Sequence, residues 1–483
     1  MNPQTFSNRR QFLQQSSAYA TGFLALQGML GKAAVAKDSA ATIQRGYGPL
    51  VDDPAKLLDL PQGFAYKIIS RTGDRLDDGL LTPSCPDGMA AFSGPDGLTL
   101  LVRNHEVRPN DPYGPFGKQD ELLSQIDPTL LYDRGAGQVA HKGGTTTIVY
   151  DCKKQETVRQ FLSLGGTTRN CAGGPTPWGS WITCEETVAR AGHSDDDGNR
   201  YQSDFDHGYC FDVPVSAEMK LHAATPIKAM GRFRHEAVAV SSDARIVYLT
   251  EDREDGLLYR FLADEPGKLL AGGRLQVLQF REAKSVDTRR WQGDPVVAQT
   301  PLTVEIGSRH PVEWFDVDGA DVESPHDDLR FRYFKTGAAR FARGEGIWHA
   351  GDGVYIACTD GGLTKKGQIW RYLPSPAEGL PGEQDQPGML ELFLEPNDSR
   401  LLEAADNLVA APWGDIVVCE DRQGAVVRLL GVTTTGELYT LAMNHSKCEF
   451  AGAAFSPDGS TLFVNIQAAG LTLAITGPWR GKG

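Results

Sequence analysis

The sequence predicts an all-β chain closed into a six-bladed β-propeller with loop and short-helix insertions. Three observations carry that prediction: a hairpin unit that recurs six times, a turn-rich composition, and segments between the copies that mostly lack a helical apolar period.

The copies read CPDGMAAFSGPDGLTLLVRNHE ending at Glu106, NCAGGPTPWGSWITCEE ending at Glu186, and RHEAVAVSSDARIVYLTED ending at Asp252. Three more follow: GEGIWHAGDGVYIACTD ending at Asp360, ADNLVAAPWGDIVVCED ending at Asp421, and CEFAGAAFSPDGSTLFVNIQ ending at Gln467. Each is a short strand, a Gly/Asp turn and a second strand that ends on a polar residue, mostly an acid. The 483 residues include 54 Gly and 28 Pro, with 40% hydrophobic side chains, which supplies core and turns for many short strands. By spacing, Glu236, Glu345 and Asn407 occupy one repeat position facing the central channel, and Cys184, Cys358 and Cys419 occupy another.

Residues 8–14 run Asn-Arg-Arg-Gln-Phe-Leu-Gln, an apolar stretch spans 18–30, and Ala-Val-Ala closes the segment at 34–36. This is the pattern of a twin-arginine export signal. Residues 1–36 are therefore expected to be removed, leaving 37–483 as a single propeller catalytic domain in the periplasm or outside the cell. The twin-arginine translocase is the expected partner during export. No other stretch approaches 18 consecutive apolar residues, so no stable membrane association is expected after cleavage.

The formal charge of −14 argues against a nucleic-acid partner. An acidic protein that handles anions needs bound cations or a focused basic cluster. The eight cysteines show no CxxC pair and no dense disulfide framework.

The strand ends concentrate acids: Glu106, Glu185 with Glu186, Glu251 with Asp252, and Glu420 with Asp421, joined by Glu236 and Glu345 if the ring closes. Like charges that close cannot all stay ionised without cations, and carboxylate oxygens favour calcium or ferric iron over zinc. The pattern thus predicts a multi-metal centre. Cys184, inside Thr-Cys-Glu-Glu, is either an iron ligand or a small buried thiol packed between strands. Arg343, two residues before Glu345, either offers its planar fork to an oxyanion or pairs with that glutamate. His105, His235, His349 and His445 show no metal-ligand spacing and read as structural. The acidic stretches at 195–201 and 315–323 read as solvated insertions. No GxSxG, P-loop, GxGxxG or HExxH occurs in a fitting context.

RNHE at 103–106, TPWGSWITCEE at 176–186, GRFRHEA at 231–237, YLTED at 248–252, RGEG at 343–346, DNL at 406–408, CED at 419–421 and EFAGAAFSPDGSTLFVNIQ at 449–467 resemble the PhoX-type alkaline phosphatases. The resemblance spans nearly the whole chain after residue 36. It implies a twin-arginine-exported propeller that binds Fe3+ and Ca2+ and hydrolyses phosphate monoesters of small organic molecules. By matching motif, Cys184 resembles the family's iron thiolate ligand, Glu236 and Glu345 its carboxylate ligands, and Arg343 its phosphate-binding arginine. The expected metal set is Cys184, Glu185, Glu186, Glu236, Glu251, Asp252, Glu345, Asn407, Glu420, Asp421 and Glu106, with Arg343, Cys184 and Glu345 catalytic. The chain is compact, and Cys-Ala-Gly-Gly-Pro at 171–175 places it in a shorter-chain branch, which leaves substrate preference open. A monomer is expected. Two other readings stand beside this one: a calcium-dependent propeller hydrolase of phosphodiesters, phosphotriesters or lactones, and a non-enzymatic periplasmic binding propeller.

Overall fold

The apolar run on each side of the Gly/Asp turn folds, in all six copies, as a pair of antiparallel strands. The structure is a computed structural model and describes residues 46–137, 139–193, 203–351, 353–422 and 426–481. The chain divides into units Met1–Gly46 and Tyr47–Gly483, and every element below belongs to the second. The expected export signal, 1–36, and the acidic stretch 195–201 lie outside the described residues. Among the described residues no helix is long and apolar enough to cross a membrane.

The first strands of the hairpins are Pro86–Ser93, Asn170–Pro175, His235–Val240, Gly344–Ala350, Ala405–Ala410 and Phe450–Phe455. Each is the edge strand of its sheet. Each packs against the next in this order and the last packs against the first, so the strands ring one axis in an all-β, propeller-like fold. Strand Arg309–Asp316 pairs through one half with Gln276–Phe280 and through the other with Met389–Glu391, which stitches two leaves into one ten-stranded sheet. Both ends of the chain close the ring: Ala65–Arg71 pairs with Leu471–Thr476, and Leu58–Pro61 adds to Leu438–Asn444.

Side chains along a strand alternate between the two sheet faces, so neighbouring sheets bury an apolar layer between them. Ile182 and Cys184 meet Val238 and Leu249 in one such layer. Val417 and Cys419 meet Leu462 and Val464 in another. The axis is reached differently. Near its start every first strand carries a bulge, where the register skips from Pro86 to Met89, Asn170 to Gly173, His235 to Val238, Gly344 to Ile347, Ala405 to Leu408 and Ala451 to Ala454. A bulge leaves residues out of the ladder and re-aims their side chains. In the first five strands its first residue is Asp87, Cys171, Glu236, Glu345 or Asp406, and these are the groups that converge at the centre.

Beneath them the channel narrows to a cavity of about 20 Å³ lined by Gly88, Ala172, Ala237, Gly346, Trp348 and Gly452. Trp348 packs against apolar layers on several sides of the ring, so its indole reaches across the axis. The strands come this close because glycines line the approach: a Cβ on Gly346 would lie 2.7 Å from the Asp406 carbonyl oxygen. Gly346→Ala should therefore destabilise the fold by about 1–3 kcal/mol through overpacking against backbone. Urea unfolding measures this, and an unchanged midpoint would contradict the close-approach argument.

Candidate metal and phosphate site

Three donor groups overlap around the axis: Asp87, Glu106 and Cys171; Cys171, Glu186 and Glu236; and Glu236, Glu345 and Asp406. Within each group one ligand atom per residue lies within 4.8 Å of the others. Glu236 sits at the overlap. It is fully buried, and neither carboxylate oxygen has a hydrogen-bond partner among the described residues. Burial, then the carboxylates of Glu345, Asp406, Glu186 and Asp87, pushes its pKa well above the ordinary value. Glu345, Asp406 and Asp87 rise for the same first reason, burial. The Cys171 thiol is raised by burial and then by Asp87 and Glu236.

Where a strand ends on two adjacent acids, alternation sends them to different tasks. The first clamps backbone. Glu185 accepts the Gly208 N–H at 2.9 Å, Glu251 the Leu257 N–H at 3.0 Å, and Glu420 the Arg428 N–H at 3.0 Å. Glu251 also takes the Tyr259 hydroxyl at 2.9 Å, and Glu420 the Arg428 Nε at 2.9 Å. The second acid of each pair, Glu186, Asp252 or Asp421, turns toward the arginines described next, and Glu186 also belongs to a donor group.

Arginines cap the acids. Arg169, Arg234 and Arg343 each stand immediately before the paired start of a first strand. Arg169 Nη2 lies 2.8 Å from Glu106 and also pairs with Glu186, which Arg234 Nη1 meets at 3.2 Å. Arg343 forks onto Asp252, Nε at 2.8 Å and Nη2 at 3.1 Å, and Nη2 also reaches Glu345 Oε1 at 2.8 Å. Its backbone is left-handed, φ 52°, an uncommon conformation for a non-glycine residue; it lets Arg343 meet Glu345 from outside the strand. Burial raises Glu186 to about 7 against the pull of Arg169, whereas for Asp252 the burial effect is outweighed by Arg343 and the carboxyl falls below its usual value. Gln467 Nε2 bridges Asp87 at 2.7 Å and Glu106 at 3.1 Å. Glu449, beside Asp421, is pushed up to about 12, first by burial.

The structure thus gathers Glu106, Glu186, Glu236 and Glu345 in donor groups, with Asp252 and Asp421 alongside through Arg343. It does not bring Cys184, Glu185, Glu251 or Glu420 there. Cys184 is mid-strand, so its thiol faces the layer between sheets, 3.6 Å from Cys210, and Cys171 is the thiol at the axis. Asn407 lies one residue past the axial position, which Asp406 holds. Glu236, Glu345 and Asp406 follow the pairs His235–Glu251, Gly344–Cys358 and Ala405–Glu420, and hairpin turns of unequal length shift the sequence spacing. The same inequality pairs Cys358 with Gly344, the register of Glu185 rather than of Cys184. Asn407 instead clasps the neighbouring strand, its Oδ1 accepting the Gly452 N–H at 2.6 Å. Cys171, Asp87, Asp406, Arg169 and Arg234 were not singled out by spacing. The recurrence Arg-x-Cys or Arg-x-Glu at 169–171, 234–236 and 343–345 is the signal that marks three of these arginine and ligand positions.

The model of the alkaline phosphatase PhoX family matches residues 45–156 and 143–470. The structure of Pseudomonas fluorescens PhoX in complex with vanadate, a transition state analogue, is similar over 87% of this chain and 96% of its own, with a TM-score of 0.60 and 18% identity. A gluconolactonase from Xanthomonas campestris aligns over 90% of this chain and 99% of its own at 13% identity, with a TM-score of 0.34 that is too low to carry an argument. No curated protein sequence matches this chain. Fold and family match together define a phosphoric ester hydrolase on a propeller-like all-β frame. The chain belongs to the alkaline phosphatase PhoX family.

Two outcomes follow from the site's electrostatics. An acid whose folded pKa is raised binds its proton more tightly folded than unfolded, so stability falls as pH climbs from the ordinary carboxylate value toward the folded one. Glu186 sets that window between its ordinary 4.5 and about 7, and Glu236 acts in the same direction. Chelated protein should therefore melt at lower temperature at about pH 8 than at about pH 5, and Glu236→Gln should flatten that slope. Thermal unfolding of both proteins across the range checks it. The second outcome separates adjacent acids: Glu251→Ala should cost roughly 1–3 kcal/mol of stability through lost buried hydrogen bonds. Asp252→Asn, which keeps the shape but weakens the pair with Arg343, should lower activity more than it lowers the unfolding midpoint.

Proposed function

We propose that this chain is an exported, metal-dependent phosphatase that hydrolyses phosphate monoesters of small organic molecules at the centre of a six-bladed propeller. The observation that carries the reading is Glu236, a fully buried carboxylate with both oxygens unpartnered among the described residues and with Glu186, Glu345, Asp406 and the Cys171 thiol around it. A buried charge of this kind persists only against a cation.

The donor set fits Fe3+ and Ca2+. Carboxylate oxygens serve both ions, and a Cys171 thiolate adds a ligand that iron accepts. Cys171, Glu186, Glu236, Glu345 and Asp406 would hold the metals, with Asp87 and Glu106 beside Cys171. Bound there, these ions supply Lewis acidity toward the phosphoryl group. Arg343 is the arginine that meets the ester. Its side chain is 31% exposed, against 12% for Arg169 and 10% for Arg234. A planar fork matches two phosphoryl oxygens, and Asp252 and Glu345 hold its orientation. Trp348 lines the narrow cavity beneath the acids.

The six-blade reading is supported by six edge strands in ring contact, with the ten-stranded sheet counted as two leaves joined by Arg309–Asp316. Export rests on residues 1–36, which imply the twin-arginine translocase, a periplasmic or secreted location and no lasting membrane association. The charge of −14 supports the absence of a nucleic-acid partner, and the working unit is taken as a monomer.

Purified protein should contain iron and calcium by elemental analysis and hydrolyse p-nitrophenyl phosphate. Glu236→Gln should lose metal and activity together. Arg343→Ala should keep its metal and lower kcat/KM by roughly 10²–10³-fold, the usual loss for one transition-state donor. Metal-loaded protein that turns over a phosphodiester or a lactone but no monoester would replace this reading with that activity, and inertness across all of them would leave a binding propeller.

A further inference from the structure

Cys184 stands opposite a second cysteine. Strands Ser180–Glu185 and Cys210–Pro214 run antiparallel, and Cys184 and Cys210 are direct cross-strand partners. The Glu185 N–H donates to the Tyr209 carbonyl at 3.0 Å, so the ladder bonds fall on the neighbouring residues and the two cysteines form a non-hydrogen-bonded pair. Cα atoms in such a pair lie about 4.5 Å apart, inside the about 4.4–6.8 Å that a disulfide spans. Both side chains enter the same apolar layer, fully buried, with their sulfurs 3.6 Å apart.

Packing by itself does not call for the second sulfur. Cys358 and Cys419, the buried thiols at the strand ends of two other copies, face Gln368 and Leu429 on the strand that follows. Nor do the two sulfurs serve the axis, where the thiol in the donor groups is Cys171. Strand Cys210–Pro214 is the outer strand of a three-stranded sheet, so its local opening brings both thiols to solvent. The chain between the cysteines, 185–209, includes Glu185, which accepts the Gly208 N–H at 2.9 Å, and the axial donor Glu186.

We propose that Cys184 and Cys210 are the site of a disulfide, formed by exchange with a small organic disulfide of the glutathione class, that fastens this outer strand to the strand leading into Glu186. On opening, one cysteine thiolate attacks the oxidant's S–S bond, which forms a mixed disulfide and releases one thiolate to take up the proton that the cysteine lost. The second cysteine attacks the protein sulfur of that mixed disulfide, closing the Cys184–Cys210 bond and releasing the second thiol. The pair gives up two protons and two electrons, and the oxidant becomes two thiols. Export supplies the oxidising surroundings in which such a bond persists, whereas the pairing of the two sulfurs depends only on the fold.

Full-length chain, reduced and freed of reductant, is incubated with oxidised glutathione, unfolded in N-ethylmaleimide and digested. Mass spectrometry should find the peptide of Cys184 joined to that of Cys210, and the join should vanish on reduction. Recovery of both peptides as maleimide adducts, or joined to other cysteines, would overturn the proposal. Chain blocked with N-ethylmaleimide at harvest from exporting cells should carry the same join. Its presence after glutathione but not at harvest would uphold the pair and overturn export into an oxidising compartment. Reduction should lower the thermal unfolding midpoint of the joined wild type and leave that of Cys184→Ala/Cys210→Ala unmoved. Equal shifts in both would assign the effect to the other cysteines and overturn the fastening role.

Discussion

A bulge near the start of each first strand governs the rest of this molecule. Regular strands spend every side chain on the layers between sheets, so an uninterrupted ring of them would present only backbone and glycine to its axis. The skipped register frees Asp87, Cys171, Glu236, Glu345 and Asp406 from the ladder and turns them inward, one from each of five strands. The sixth strand breaks the pattern, with Ala451 at the matching place and Glu449 and Gln467 standing in from the flanks.

Bringing these carboxylates together has an electrostatic consequence that the fold meets in layers. Burial, and then mutual repulsion, raises Asp87, Glu236, Glu345 and Asp406, which is unfavourable unless positive charge is near. Arg169, Arg234 and Arg343 supply part of it at the rim, where they pair with Glu106, Glu186, Asp252 and Glu345. None of them gives a hydrogen bond to Glu236, which is fully buried. The acids just inside the strand ends, Glu185, Glu251 and Glu420, never join this contest, because each is committed to backbone N–H groups that hold the following strand.

Much of the frame was legible in the sequence. The six copies mark the hairpins that form, and PhoX-type motifs spread along the chain agree with a family match that runs almost throughout. The site was legible as a population of acids rather than as an arrangement. Thr-Cys-Glu-Glu directs attention to Cys184, yet a thiol in mid-strand must face a neighbouring sheet, and the axial thiol is the bulged Cys171. Asn407 falls within the loose spacing of the copies, but strand pairing aligns Asp406 with Glu236 and Glu345, because the hairpins that pair His235 with Glu251, Gly344 with Cys358 and Ala405 with Glu420 differ in length. The Arg-x-Glu and Arg-x-Cys recurrence was available without coordinates and marks Arg169 and Arg234 as partners of Arg343.

By itself, the sequence determined which residues form strands and turns, that acids accumulate at the strand ends, and that the chain carries PhoX-type motifs; each depends on local pattern or on composition. Tertiary structure alone decided which acid of an adjacent pair looks at the axis, which cysteine reaches it, and that His141 and His207 stack across 65 intervening positions beside Asp133. The reason is physical. Facing depends on register and bulges, set by cross-strand pairing, and ring closure joins Ala65–Arg71 to Leu471–Thr476 from opposite ends of the chain. No local stretch of sequence encodes either.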